Sequence, residues 1–393
     1  MEKTYFISGQ RTAFGAFGGS LKDLSATELS VVAAKAALQK AALRADQIEH
    51  VIIGNVVQSG ADAAYLARHV GLKSGIPQDV GAFNVNRLCG SGFQGWISAA
   101  QMINNDEAHC ILTGGVEQMS QIPYVMRNMR FGGIRLGNGE LEDFMTSSLT
   151  DAHVAMPMAM TAEKLGEKYG ITRDQCDEFS FESQARCKRA YEKNLFSDEI
   201  TPVTIASKKG TVEFNRDEHP KPDVSLEKLK TMKPLFKQNG LVTAATASGI
   251  VDGAACSILA SESFVKKNNL RPLAQIVSHA TVGCDPTIMG IGPAAAVRKA
   301  LQKANLSLGQ MDLIEVNEAF AAQYLSVEKE LGLNRSQTNV NGGAIAIGHP
   351  LAASGTRIMN HLVFELHRRK AKYAIGSACI GGGQGIAIIV ERV

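Results

Sequence analysis

Apolar and polar positions follow two different rhythms along this chain, and the rhythms alternate from one end to the other. Behind Ser25-Ala26-Thr27-Glu28, which has capping-box spacing, Leu29, Val32, Ala33, Ala36 and Ala37 keep a helical period. His50-Val51-Ile52-Ile53 then reads as a buried strand closed by the turn-prone Gly54-Asn55. Ser91 to Ile103 reads as a helix and Cys110-Ile111-Leu112 as a further strand. The alternation returns later. Pro293 suits the first turn of a helix carrying Val297, Ala300, Leu301 and Ala304, and Leu313-Ile314-Glu315-Val316 is a strand. Residues 357–369 read as a helix, and 373–376 and 386–390 as strands. Such alternation predicts an α/β fold with helices laid against sheet faces.

The two alternating stretches echo each other. Residues 37–43 read Ala-Leu-Gln-Lys-Ala-Ala-Leu, and residues 300–306 read Ala-Leu-Gln-Lys-Ala-Asn-Leu. Ser91-Gly92 and Ser354-Gly355 stand at that same offset, and Asn84-Val85-Asn86 returns, slightly shifted, as Asn339-Val340-Asn341. This is the signature of a tandem duplication rather than a short-period solenoid. Residues 122–248 match neither half, and contain a helical stretch over 161–192. They read as a cap inserted into the first half. The expected organisation is therefore 1–121 with 249–270 as one half, 122–248 as the insert, and 271–393 as the second half. The insert also carries Lys208, Lys209, Arg216, Lys221, Lys228, Lys230, Lys233 and Lys237. Scattered lysines are more often a solvated face, and a site for a phosphate-bearing ligand is the sharper alternative.

Composition narrows the function classes. At 393 residues the chain exceeds what one ordinary core organises. Its net charge of +3 gives no global field for nucleic acid, and no apolar run is long enough to span a membrane. The first residues lead straight into a strand, with no cleavable leader in view. Seven scattered cysteines form neither a disulfide framework nor C-x-x-C metal spacing, so a reducing compartment without a metal centre is expected.

Four segments carry candidate chemistry. In Asn86-Arg87-Leu88-Cys89-Gly90-Ser91-Gly92 a cysteine sits where a helix begins, and helix dipoles there favour thiolate. A small cysteine packed at a turn fits the same residues about equally well. In Asn341-Gly342-Gly343-Ala344-Ile345-Ala346-Ile347-Gly348-His349-Pro350 a histidine stands among small residues, free to act as base to a cysteine. Cys379-Ile380-Gly381-Gly382-Gly383-Gln384-Gly385 follows a strand and places a second cysteine among free amides; it lacks the Lys-Ser/Thr ending of a phosphate loop. Val316-Asn317-Glu318-Ala319-Phe320-Ala321 offers an Asn and a Glu, although a helix cap explains them equally well. Cys110, Cys176, Cys187, Cys256 and Cys284 read as structural.

Taken together, and in this order, the NRLCGSG, NEAFA, NGGAIAIGHP and CIGGGQG segments resemble the thiolase family, nearly end to end. Thr150-Asp151-Ala152-His153, Pro157 to Glu163 and Cys284 to Pro293 are similar to its 3-ketoacyl-CoA branch. Acetoacetyl-CoA thiolases typically have His-Met-Gly where this chain has Pro157-Met158-Ala159.

The resemblance implies a layered αβαβα fold of two duplicated α/β halves plus an inserted loop domain. It implies Cys89 as nucleophile, His349 as its base, and Cys379 as the acid–base group at the acetyl carbon. It also implies one oxyanion hole from the amides of Cys89 and Gly381, and another from His349 and a water held by Asn317. Coenzyme A would be a substrate, with no permanently bound cofactor, and would lie across the insert. The positions carried over for it are Lys221, Ser225, Phe236, Ser248, Met158, Met289 and Phe320. Lys221 replaces an arginine and so loses a bidentate fork, and Val224 replaces a threonine. A homodimer or dimer of dimers and a mitochondrial matrix location are implied too, the cytoplasm being the alternative. The competing functions are an acetoacetyl-CoA thiolase, a decarboxylating ketoacyl synthase, a thioesterase and a non-catalytic CoA-binding scaffold. Cys379 speaks against the synthase, which pairs its cysteine with two histidines or with His and Asn. Retention of Cys89, Asn317, His349 and Cys379 speaks against the scaffold.

Overall fold

A computed structural model describes residues 2–207 and 210–393; Lys208 and Lys209 of the basic segment lie outside the described residues. The long strands are β1 (Thr4–Thr12), β2 (His50–Gly54), β3 (Gly81–Val85), β4 (Cys110–Glu117), β5 (Val251–Ser261), β6 (Ala274–Gly283), β7 (Leu313–Val316), β8 (Tyr373–Ile380) and β9 (Gln384–Arg392). They join in the order β7-β8-β9-β6-β1-β5-β4-β2-β3. The order is a near-mirror about its middle. On one side β2 runs parallel to β3 and β4, on the other β7 runs parallel to β8, and the remaining pairs are antiparallel. In the sheet the two sides join where Tyr5 and Phe6 of β1 pair with Gln275 and Ala274 of β6.

Three apolar clusters separate the layers. Helix α1 (Ala26–Lys40), begun by the Ser25–Glu28 capping box, buries Leu29, Ala33 and Ala37 against the outer face of the first half. Helix α5 (Gly292–Ala304), with Pro293 in its first turn, buries Val297, Ala300 and Leu301 against the outer face of the second. Between the two sides of the sheet lie α2 (Ser91–Asn104) and α6 (Leu351–Arg369), which share a core of Phe93, Trp96, Ile358, Met359 and Leu362. Helices outside, sheets within and helices at the centre make the αβαβα stack.

The two central helices cross at their glycines. A Cβ on Gly92 would lie 2.5 Å from the Thr356 nitrogen, and one on Gly355 would lie 2.4 Å from the Phe93 nitrogen. Backbone meets backbone there, so only glycine fits. The repeated Ser-Gly pair is thus one contact seen from both sides.

The insert differs from expectation in one respect. The stretch 161–192 is two helices, α3 (Met158–Tyr169) and α4 (Arg173–Glu192). Gly170 in the left-handed region (φ 62°) ends the first, and Thr172 with Gln175 forms a capping box for the second.

A buried ionic network ties insert to core. Arg11 on β1 is fully buried; its guanidinium donates to Glu199 at 2.8 Å and to both oxygens of Asp217 at 2.8 and 3.0 Å. Glu199 also meets His361 of α6 at 2.7 Å. Arg11→Ala would strand two buried carboxylates, and such losses typically cost about 3–5 kcal/mol. A clearly lower urea midpoint is expected, and an unchanged midpoint would refute the role given to this network.

Candidate active site

The turn that carries Cys89 is held by its own neighbours. Leu88 adopts a left-handed backbone (φ 48°), its N–H donating to Asn86 Oδ1 at 3.0 Å. Ser91 Oγ accepts from the Arg87 N–H at 2.8 Å and donates to the Leu88 carbonyl at 2.7 Å. Cys89 therefore stands just before α2, with Gly90 as the cap. The backbone N–H groups of Cys89 and Gly381 both address its sulfur.

Burial opposes the helix dipole at this thiol. Enclosure by protein pushes the Cys89 thiol up to about 11, opposed by those two N–H groups and reinforced by the nearby Glu117 carboxylate. A helix terminus contributes only about 0.3–1 kcal/mol, less than one pK unit, whereas desolvation shifts buried groups by several.

His349, the base expected for this thiol, is held at both ring nitrogens. It is buried, with Nδ1 2.5 Å from Ser354 Oγ and Nε2 3.2 Å from Asn317 Nδ2. Ser354 Oγ in turn donates to the Pro350 carbonyl at 3.1 Å, which makes it the acceptor of a proton on Nδ1. Asn317 Nδ2 has only hydrogens to offer, so Nε2 presents a lone pair. Burial, and then the Arg357 charge, hold the ring down at about 3, so it rests as a neutral base. Asn317 Oδ1, also buried, has no partner among the described residues and can hold water or a substrate donor.

Cys379 lies near the end of β8 and is fully buried in a small cluster with Met289 and Ala319, flanked by Met158 and Phe320. Burial pushes its thiol well above the ordinary value, and the sulfurs of Cys89 and Cys284 add to this. Cys284, expected to be purely structural, is half-buried beside this group. A Cβ on Gly381 would lie 3.1 Å from Leu88 Cδ1 and 3.3 Å from Met158 Sδ, which brings the two cysteine loops and the insert to one point.

The remaining candidates divide. Ser248 joins the site, since its N–H donates to the Ala319 carbonyl at 3.0 Å. Lys221 and Phe236 lie exposed on the insert surface, and among the described residues no contact links them to the cysteines. Ser225 is exposed too, but its hydroxyl accepts from the Lys228 N–H at 3.3 Å as the cap of a short helix. Part of the basic segment is engaged elsewhere: Lys230 pairs with Asp174, Lys237 with Glu167, and Arg216 lies over Tyr191.

Ser354 is the site residue that sequence reasoning missed, although its equivalence with Ser91 was in view. Each serine fixes the loop just before its own central helix. Ser354→Ala should slow acylation by about tenfold or more by freeing the wrong imidazole tautomer. Rapid-quench measurement of acyl-enzyme formation at neutral pH checks this, and a wild-type rate would rule out the orienting role.

Comparison with known proteins follows the same lines. The family model for the thiolase N-terminal domain matches residues 4–263, and that for the C-terminal domain matches residues 270–392. The chain is 55% identical over 388 residues to the human protein named 3-ketoacyl-CoA thiolase, mitochondrial, covering 98% of each. It is 43% identical over 394 residues to an acetyl-CoA acetyltransferase of Escherichia coli strain K12, covering all of both. The crystal structure of human mitochondrial 3-ketoacyl-CoA thiolase in complex with CoA superposes with a TM-score of 0.97 at 54% identity, covering 100% of this chain and 98% of that one.

Proposed function

From the premise that this chain belongs to the thiolase family, we propose that it is a 3-ketoacyl-CoA thiolase acting in fatty-acid β-oxidation. The observation that carries the reading is that Cys89 lies within electrostatic reach of a second, buried cysteine, Cys379, which packs with Met289 and Met158, while Asn317 holds His349. One sulfur serves as nucleophile and the other as proton donor, which carbon–carbon cleavage needs and thioester hydrolysis does not.

His349 Nε2 takes the Cys89 proton as the sulfur attacks C3 of a 3-oxoacyl-CoA. The C2–C3 bond breaks with its electron pair on C2, and Cys379 protonates that carbon, releasing acetyl-CoA. The thiol of a second CoA restores the Cys379 proton and its sulfur attacks the acyl carbon. The Cys89 sulfur leaves and recovers its proton from His349. Amides of Cys89 and Gly381 receive the tetrahedral oxyanion, and protonated His349 with a water on Asn317 receives the enolate oxygen.

CoA is the substrate rather than a resident cofactor. Its thiol end would lie among Met158, Met289, Phe320 and Ser248, and its nucleotide end toward Lys221, Ser225 and Phe236 across the insert. Residues 1–121 with 249–270, and 271–393, form the two halves of this proposal, with 122–248 as the CoA-binding cap. The exposed edge strand β3, with Phe83, and the exposed Phe131 and Leu136 of the insert support a homodimer or a dimer of dimers. Mitochondrial relatives support a matrix location.

Thiolysis rates over a series of 3-oxoacyl-CoA chain lengths test the reading. Sustained kcat/KM well beyond the four-carbon substrate is expected. Activity confined to acetoacetyl-CoA would instead make the protein an acetoacetyl-CoA thiolase.

A further inference from the structure

Two residues outside the catalytic group connect the distant parts of the site. The His219 ring lies flat on Gly249: a Cβ there would fall 2.3–2.5 Å from the ring atoms Cε1, Nδ1 and Nε2. The Gly249 carbonyl accepts the His349 backbone N–H at 2.9 Å. The same imidazole faces the backbone carbonyl of Ile345, in the helical turn Ala344–Ile347 that leads into His349. Gln184 on α4 reaches that carbonyl too, its Nε2 donating at 3.3 Å. Its Oε1 accepts the backbone N–H of Lys221 at 2.8 Å. Gln184 is buried and His219 half-buried, two residues from Lys221 in the chain.

These contacts make a continuous path from Lys221, through Gln184 and His219, to Ile345 and Gly249, and so to the backbone of His349. We propose that His219 and Gln184 are positioning residues that couple engagement of the CoA nucleotide at the Lys221 segment to the placement of His349. The proposal rests on the reading of Lys221 as part of the nucleotide site. Its physical content is that binding energy from the remote end of a substrate raises turnover only when something rigid carries it to the reacting atoms. A side chain that fills the space over a glycine, and an amide that bridges two backbones, are suitable carriers.

The test compares a full acyl-CoA with the corresponding N-acetylcysteamine thioester, which keeps the reacting end and lacks the nucleotide. Acylation of Cys89 is measured with each donor in the wild type, His219→Leu and Gln184→Leu. In the first variant the introduced leucine would still cover Gly249 but could not bond to Ile345. In both variants the advantage of the full substrate in maximal acylation rate is expected to shrink by about tenfold. His219→Gln, which keeps an N–H donor, should restore part of it. Equal losses with both donors would overturn the coupling, since the residues would then merely support the loop. A raised KM for acyl-CoA with an unchanged maximal rate would overturn it as well.

Lys221→Ala separates this idea from the reading beneath it. Its KM is measured with CoA and with 3′-dephospho-CoA. If it discriminates between them as the wild type does, Lys221 leaves the phosphate site and the coupling loses its starting point. If discrimination is lost while the leucine variants keep the full-substrate advantage, the nucleotide site stands and the coupling alone fails.

Discussion

A Cys89→Ala protein should form no acyl-enzyme and should lose thiolysis by on the order of 10⁴–10⁶-fold, the usual scale for removing a covalent nucleophile. Cys379 cannot take over. It is fully buried, and its thiol is held protonated by burial and by its neighbours. Cys89 is only partly buried, and the proposed base, His349, rests as a neutral imidazole. Mass spectrometry of the wild type after incubation with acyl-CoA should find the adduct on Cys89. An adduct confined to Cys379 or Cys284 would reverse the assignment.

Cys379→Ser should separate the two halves of the chemistry. Acylation of Cys89 by a simple acyl-CoA breaks only a thioester and should survive. Carbon–carbon cleavage should fall by about 10²–10⁴-fold, the usual range for loss of a positioned acid or base. A thiol shifted upward is protonated at neutral pH, so it is ready to donate in the cleavage direction. In the reverse direction the same upward shift makes its thiolate a stronger base toward the acetyl methyl group. Exchange of the acetyl-CoA methyl protons with deuterated water should therefore vanish alongside cleavage. Rapid exchange in the variant would mean that His349 handles that proton, and the two-cysteine mechanism would fail.

Much of this was legible along the chain, and the omissions have physical causes. The Ser25–Glu28 cap, Pro293 and the Leu313–Val316 strand are local signals, and the fold uses them as written. The strand read at Cys110-Ile111-Leu112 continues to Glu117 through Gly114 and Gly115. Those glycines weaken the strand pattern because they serve packing: a Cβ on Gly115 would fall 2.0 Å from the Ala352 carbonyl oxygen. Helix α6 begins at Leu351 rather than near 357, since Gly355 was spent on the crossing with α2. The Gly170-Ile171-Thr172 break was visible as letters but was lost inside a long polar helical period. The Arg11–Glu199–His361 network left no trace, because its members are 188 and 162 residues apart in sequence. At Cys89 the helix start could be read from the sequence, and the burial that opposes its dipole could not.

The crossing of α2 and α6 divides what can evolve from what cannot. Cys89 and His349 stand on loops that open these two helices, whose backbones touch at Gly92 and Gly355. A single added methyl at either glycine would force the helices apart and carry nucleophile and base with them. Reaction geometry is thus frozen at the centre. Met158, which packs against Cys379 and the Gly381 turn, belongs to the insert and lies outside that contact. Substitutions there could reshape the acyl pocket while leaving the distance between sulfur and imidazole untouched. A lineage built on this frame is free to change its diet without relearning its chemistry.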